Sequence, residues 1–228
     1  MGLHHSPKIV TNGLVLALDA GDRNSYTSGS STWNDLSGNG YNATLVNSPD
    51  FSSVNSGKIQ LDGVDDYIDL PSNPNRNHTI KNSTFTIVFN DSRLVTGGNI
   101  NNQLYGLSSV LNCYWKRGGD TLHYIRVNNV TEPTLNLGEI NEDVKHLTLV
   151  IDENYLTSFY VNGTLRTTYD YSGNAIDYTW TFSFNFGVNS QLAYDAFDYH
   201  MISLYNRALS ENEVLQNYNA LKGRFGLQ

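Results

Sequence analysis

Between Tyr178 and Phe186 the chain alternates without a break. Tyr178, Trp180, Phe182, Phe184 and Phe186 occupy every second position, and Thr179, Thr181, Ser183 and Asn185 fill the places between. A period of two puts all five aromatics on one face of a strand. An apolar face of that size is read as core, which leaves the Thr/Ser/Asn face to solvent or to a polar groove. Shorter apolar runs, residues 13–18 and 147–151 among them, recur between clusters of Asn, Ser, Thr and Gly, and their spacing predicts an all-β sandwich. Turn chemistry marks the connections. Asn162-Gly163 between residues 158–161 and 164–167 predicts a hairpin, as does Asp62-Gly63 between 58–61 and 66–70, each with Gly where φ must be positive. Arg117-Gly118-Gly119-Asp120 predicts a third, joining 111–116 to 121–127. Residues 73–83 and Asn99-Ile100-Asn101-Asn102 read as loops. One segment breaks the period. Ser210 and Glu213 form a capping box, Val214, Leu215, Tyr218 and Leu221 follow at helical spacing, and Gly223 is a stop, so a helix is expected over 210–222.

Composition narrows the class. The chain has 228 residues, 39% hydrophobic and 16% charged, with too few charges and too many aromatics for a disordered tail. Residues 1–11 are expected to form a tail and 12–228 one domain. A chain of this length buries on the order of 70% of its unfolded surface, so its core needs no staple. The net charge of -8 comes with basic residues scattered rather than gathered in a stripe, which sets nucleic acid aside as a partner. The single cysteine, Cys113, rules out an internal disulfide and the four-ligand zinc patterns. No run reaches the ~18 apolar residues of a membrane span. The run over 13–18 leads into Asp19 and Asp22, so it reads as a buried strand rather than a signal peptide. Gly2 with Ser6 fits a myristoylation pattern short enough to arise by chance, and His4-His5 belongs to the expected frayed end.

Six short motifs in order carry a family resemblance. They are Asn12-Gly13-Leu14-Val15-Leu16-Ala17-Leu18-Asp19-Ala20-Gly21, Trp33-Asn34-Asp35-Leu36-Ser37-Gly38-Asn39-Gly40, Ala43-Thr44-Leu45 with Asn47, Leu61-Asp62-Gly63-Val64-Asp65-Asp66-Tyr67-Ile68, Tyr160-Val161-Asn162-Gly163, and Leu204-Tyr205-Asn206-Arg207-Ala208-Leu209-Ser210 with its helix. Over residues 12–225 the chain resembles the laminin-G-like, concanavalin A-like jelly-roll domain, and more narrowly the version found in bacteriophage virion proteins. Residues 84–140 match loosely, and the strand near 143–152 opens with Val144 and Lys145 where the family has Trp. The resemblance implies a two-sheet antiparallel jelly-roll sandwich with one short C-terminal helix. It implies a non-enzymatic structural protein on the virion exterior, a capsid decoration or tail-fibre component, whose loops adhere to surface polysaccharide. The partners would be other virion proteins and host or environmental glycans; homo-oligomerisation is left open. The runner-up is a cellular carbohydrate-binding lectin module, and the third reading is a glucanase.

Each reading makes its own demand on the residues. Glucanases on this fold place two carboxyls on one strand, and the nearest segment here, Glu139-Ile140-Asn141-Glu142-Asp143, has Asn at its centre and reads as a turn. Jelly rolls of this type often carry a structural calcium ion, which wants several oxygens near one point. Asp19, Asp62 and Asp65 are the candidate ligands, with Asp66, Asp35 and Asn39 nearby in sequence, and for Asp35 and Asp62 backbone-bonding Asx turns are the favoured role. Otherwise no cofactor is expected. Sugar binding needs an aromatic face beside polar groups. The candidates are Tyr114, Lys116, Arg117, Asp120 and Tyr124 on the predicted hairpin, with Cys113 and Trp115 assigned to the core side. Trp33 is expected to anchor its loop rather than to stack on a sugar.

Overall fold

The computed structural model describes residues 7–70, 81–91, 100–107, 111–117, 122–127, 130–131, 135–136, 144–172, 184–188 and 194–227. They form two packed sheets and one helix, the predicted jelly-roll sandwich. In chain order the strands are β1 (Leu14–Asp19), β2 (Thr32–Trp33), β3 (Ala43–Val46), β4 (Asp50–Ser52), β5 (Lys58–Gln60), β6 (Tyr67–Leu70), β7 (Ser83–Asp91), β8 (Ile100–Leu107), β9 (Leu111–Arg117), β10 (Leu122–Val127), β11 (Val130–Thr131), β12 (Leu135–Asn136), β13 (Lys145–Ile151), β14 (Leu156–Val161), β15 (Thr164–Asp170), β16 (Phe184–Phe186) and β17 (Phe197–Tyr205); the helix α1 is Glu211–Phe225. One sheet runs β15-β14-β13-β7-β17-β5-β4, with β1 also on β17. The other runs β11-β10-β9-β8-β16-β6-β3-β2, with β12 on β10.

The central strands of the first sheet are buried on both faces. Phe85, Ile87 and Phe89 of β7, Leu147, Leu149 and Ile151 of β13, and Ile202 and Leu204 of β17 turn inward to the core between the sheets. There Phe186 of β16 meets Tyr199 of β17 edge-on, with ring centroids 6.0 Å apart. The alternate residues face the helix. Val88 and Met201 pack with Leu221 and Phe225, and Val150, Tyr160 and Tyr205 pack with Val214. Period two on the strands and period 3.6 on the helix are both met. This outer face is partly polar, and buried polar groups are mostly paired internally. Thr86 and Thr148 hydroxyls lie 3.2 Å apart. Asp198 accepts from Lys58 Nζ at 2.5 Å and from Asn90 Nδ2 at 3.0 Å.

Three local expectations need correction. The Asn162-Gly163 hairpin forms between β14 and β15, with φ of 50° and 72° at the two residues. Asp62-Gly63 is a turn with φ 76° at Gly63, yet no hairpin: β5 pairs with β4 and β17 in one sheet, and β6 with β3 and β16 in the other. The turn crosses between layers. Ile100, Asn101 and Asn102 open strand β8 rather than lie in a loop. The helix does not stop at Gly223. It continues to Phe225 and ends on Gly226 in the left-handed conformation, φ 65°. The extra turn is held by tertiary contacts, with the Phe225 ring 5.4 Å from that of His200. The helix start is as predicted: the Ser210 hydroxyl accepts from Glu213 N–H, and Glu213 Oε2 accepts from Ser210 N–H at 2.9 Å. Of the aromatic strand, only Phe184–Phe186 is described, and Phe186 is core; Tyr178, Trp180 and Phe182 lie outside the described residues, as do residues 73–80 and Glu139 to Asp143.

Two outcomes follow from this packing. Ser210→Ala removes a cap and should cost about 1 kcal/mol in chemical denaturation. His146 is fully buried beneath Tyr218, and neither ring nitrogen has a hydrogen-bond partner among the described residues. Burial lowers its pKa from 6.5 to about 4, so below pH 6.5 the unfolded chain binds the proton first. Stability present above pH 6.5 is therefore lost as pH falls towards 4, by about 2 kcal/mol between pH 7.5 and 5 from this residue. His146→Leu should flatten that acid limb by a similar amount, read from melting temperatures across the range.

Candidate functional site

A cleft of about 1020 Å³ opens where β1 ends. Three segments build it: residues 20–28, residues 51–57 and Arg224. The first is fixed by its own hydrogen bonds. Ser25 Oγ accepts from Asp19 N–H at 3.0 Å and donates to the Asn34 carbonyl at 2.6 Å. The Asp22 carbonyl accepts from Ser25 and Tyr26 N–H, and the Ser25 carbonyl from Asn34 N–H. The second segment, with the 3-10 turn Val54–Ser56, touches the first through paired glycines. A Cβ on Gly21 would stand 1.8 Å from the Ser56 carbonyl oxygen, and one on Gly57, at φ 92°, 2.5 Å from Gly21 Cα. Only glycine permits that approach. Arg224 then clamps both walls. Its guanidinium donates to the two Asp19 oxygens at 2.5 and 2.6 Å and to the Ser56 carbonyl at 3.1 Å, and Ser56 Oγ donates back to the Arg224 carbonyl at 2.9 Å.

The lining is amphipathic. Tyr26 is buried, and the half-buried Phe51 lies tilted against it at 5.2 Å. Burial pushes the Tyr26 phenol up, against a backbone hydrogen bond from Gly29. Thr27, Ser28 and Ser53 are exposed, and their hydroxyls have no hydrogen-bond partner among the described residues. Asp22 Oδ1 accepts from Asn24 N–H at 2.8 Å, and the Asp22 charge also supports that of Arg224. Such a surface offers one apolar face ringed by donors and acceptors. Sequence reasoning missed it, and Phe51, beside Ser52 and Ser53, was the signal available.

None of the candidate site residues singled out from sequence is among the residues lining this cleft. Asp62, Asp65 and Asp66 bring carboxylate oxygens within 4.8 Å of one another. Asp62 Oδ1 accepts from Val64, Asp65 and Asp66 N–H, which holds its carboxyl below the usual range. The Asp66 carboxyl is pushed up, first by burial and then by the Asp62 charge. The bonds present are those of an Asx turn. Asp19 does not join this group, because Arg224 takes its carboxylate. Asp35 is equally committed, accepting from Ala17, Ser37 and Tyr41 N–H and from Ser37 Oγ, while Asn39 Nδ2 donates to the Val15 carbonyl. On the predicted hairpin, β9 and β10 pair with Tyr124 directly opposite Tyr114 and His123 opposite Trp115; Lys116 and Arg117 stand opposite Asn101 and Ile100 of β8. Asp120 lies outside the described residues. Trp33 is fully buried in the core, as an anchor would be.

No protein-family model matches the chain, and no curated protein matches its sequence. Solved structures do match. The binding domain of botulinum neurotoxin serotype D has a TM-score of 0.71 at 13% identity, covering 92% of this chain and 52% of that one. The binding domain of Paraclostridial Mosquitocidal Protein 1 has 0.71 at 17%, covering 92% and 52%. Trypanosoma rangeli sialidase in complex with the inhibitor DANA has 0.69 at 16%, covering 92% and 33%. The serotype D domain is also solved in complex with N-acetylneuraminic acid. At these identities the likeness is one of fold, a β-sandwich. The chain spans about half the length of the two binding domains and a third of the sialidase.

Arg224→Ala should cost about 1–3 kcal/mol, the range for hydrogen bonds to charged groups at a partly exposed pair, and should speed amide exchange over residues 53–57. Unchanged stability and exchange would show that the clamp does not hold the cleft.

Proposed function

We propose that the chain is a non-enzymatic, lectin-like adhesion module displayed on the exterior of a bacteriophage particle, as a capsid decoration or tail-fibre component, and that it binds surface polysaccharide in the cleft at the end of β1. The observation that carries the binding part is the cleft itself: a fixed frame, a half-buried aromatic ring and hydroxyls without a partner among the described residues. Sugars present an apolar ring face and a rim of hydroxyls, and this lining complements both. The sandwich shared with two toxin binding domains, one of them solved with a bound acidic sugar, supports the same reading. Asp22 is the one carboxylate among the described lining residues, whereas glycoside hydrolysis ordinarily takes two. That favours binding over cleavage, the sialidase likeness notwithstanding. The virion part rests on the ordered motifs over residues 12–225. A second reading places recognition on the β9–β10 hairpin, where Tyr114 and Tyr124 stand in register.

Two measurements test this. On a glycan array the purified chain should retain a polysaccharide, and Phe51→Ala should weaken it about tenfold or more by titration calorimetry. Retention unaffected by Phe51→Ala would move the site to the hairpin. Antibodies against the chain should label intact phage particles; particles without label would leave the cellular lectin.

A further inference from the structure

One cationic side chain in the cleft forms no ion pair among the described residues. Its lining holds two guanidinium groups and one carboxylate. The Arg224 guanidinium is taken by Asp19 and the Ser56 carbonyl. The Asp22 carboxylate is turned to Asn24 N–H, and its field acts on Arg224. Arg23 is exposed and has no hydrogen bond or ion pair among the described residues. In a chain with 22 acidic residues against 14 basic ones carboxylates are plentiful, yet among the described residues none forms an ion pair with Arg23.

We infer that Arg23 makes this cleft selective for carboxylated sugars, with the acid group on the Arg23 fork, a sugar ring against Phe51, and ring hydroxyls on Thr27, Ser28 and Ser53. The inference rests on the glycan reading of the cleft. A guanidinium presents parallel N–H donors that match the two oxygens of a carboxylate, and the pair is charge-assisted on both sides. The site lies within a cleft at the upper end of the usual size for ligands, roughly 300–1,000 Å³, which leaves room for more than one sugar ring. The frame bears on selectivity too. Arg23 sits between Asp22 and Asn24 in a turn whose backbone is bonded at Asp22, Ser25 and Tyr26, so the base of the side chain is fixed while its head stays free.

The test uses two matched pairs: tetragalacturonate against galactotetraose, and sialyllactose against lactose. The first pair reports a uronate and the second a nonulosonate, the two sources of a sugar carboxylate. In at least one pair the acidic member should bind the intact chain at least tenfold more tightly, and raising salt from 50 to 500 mM should erode that preference. Arg23→Ala should abolish the preference and leave the melting temperature unchanged. Arg23→Lys should restore part of it, since a point charge lacks the fork. Equal binding within both pairs, or a preference that survives Arg23→Ala, overturns the inference while leaving the cleft reading to stand on Phe51→Ala. Failure to bind any of the four sugars also overturns it, and the array result then decides the cleft reading alone.

Discussion

Strand β17 has no face that can meet water. All nine residues, Phe197–Tyr205, are buried, so the strand needs a cover on each side. The second sheet provides one, and the other must come from elsewhere in the chain. Helix α1 supplies it, but this outer face includes Asp198, His200 and Ser203, and covering polar groups without pairing them costs more than leaving them wet. The pairing explains what lies around the strand. His200 Nδ1 is 2.9 Å from the Gly57 carbonyl oxygen and Nε2 is 3.0 Å from Asn90 Oδ1. Tyr205 OH donates to the Val10 carbonyl and accepts from Asn217 Nδ2, whose Oδ1 accepts from Val10 N–H. Strand, helix and the segment before β1 are thereby one unit.

The cleft is a by-product of that cover. Once α1 lies along β17, its last turn reaches the end of β1, and Arg224 finds Asp19 and the Ser56 carbonyl. Arg207 anchors the other end with a bidentate contact to Glu213. That contact, more than any other, draws the Glu213 carboxyl down to about 2. The cleft residues thus stand on loops whose backbones are held by the packed core, the usual division of labour in a sandwich.

Local chemistry was legible in the sequence where its cause is local. The capping box at Ser210 and Glu213, the Asn162-Gly163 hairpin and the Asx turn at Asp62 each depend on residues within four positions. What failed depended on distant partners. The Asp62-Gly63 turn has the right φ, but turn chemistry does not say whether the strands on either side enter the same sheet. Gly223 reads as a stop until Phe225 is seen to pack on His200. Asp19 looks available to a metal until Arg224 arrives from 205 positions away. The cleft was invisible for the same reason: Arg23, Phe51 and Arg224 share no motif and meet only in the fold.

The residues that a bound sugar touches distinguish the cleft from the β9–β10 hairpin. Amide chemical shifts of the isotope-labelled protein, followed during titration with a retained oligosaccharide, locate that contact directly. The cleft reading expects the largest shifts at Arg23, Thr27, Ser28, Phe51 and Ser53, with β9 and β10 unmoved. Shifts concentrated at Tyr114 to Tyr124, with the cleft silent, would contradict it.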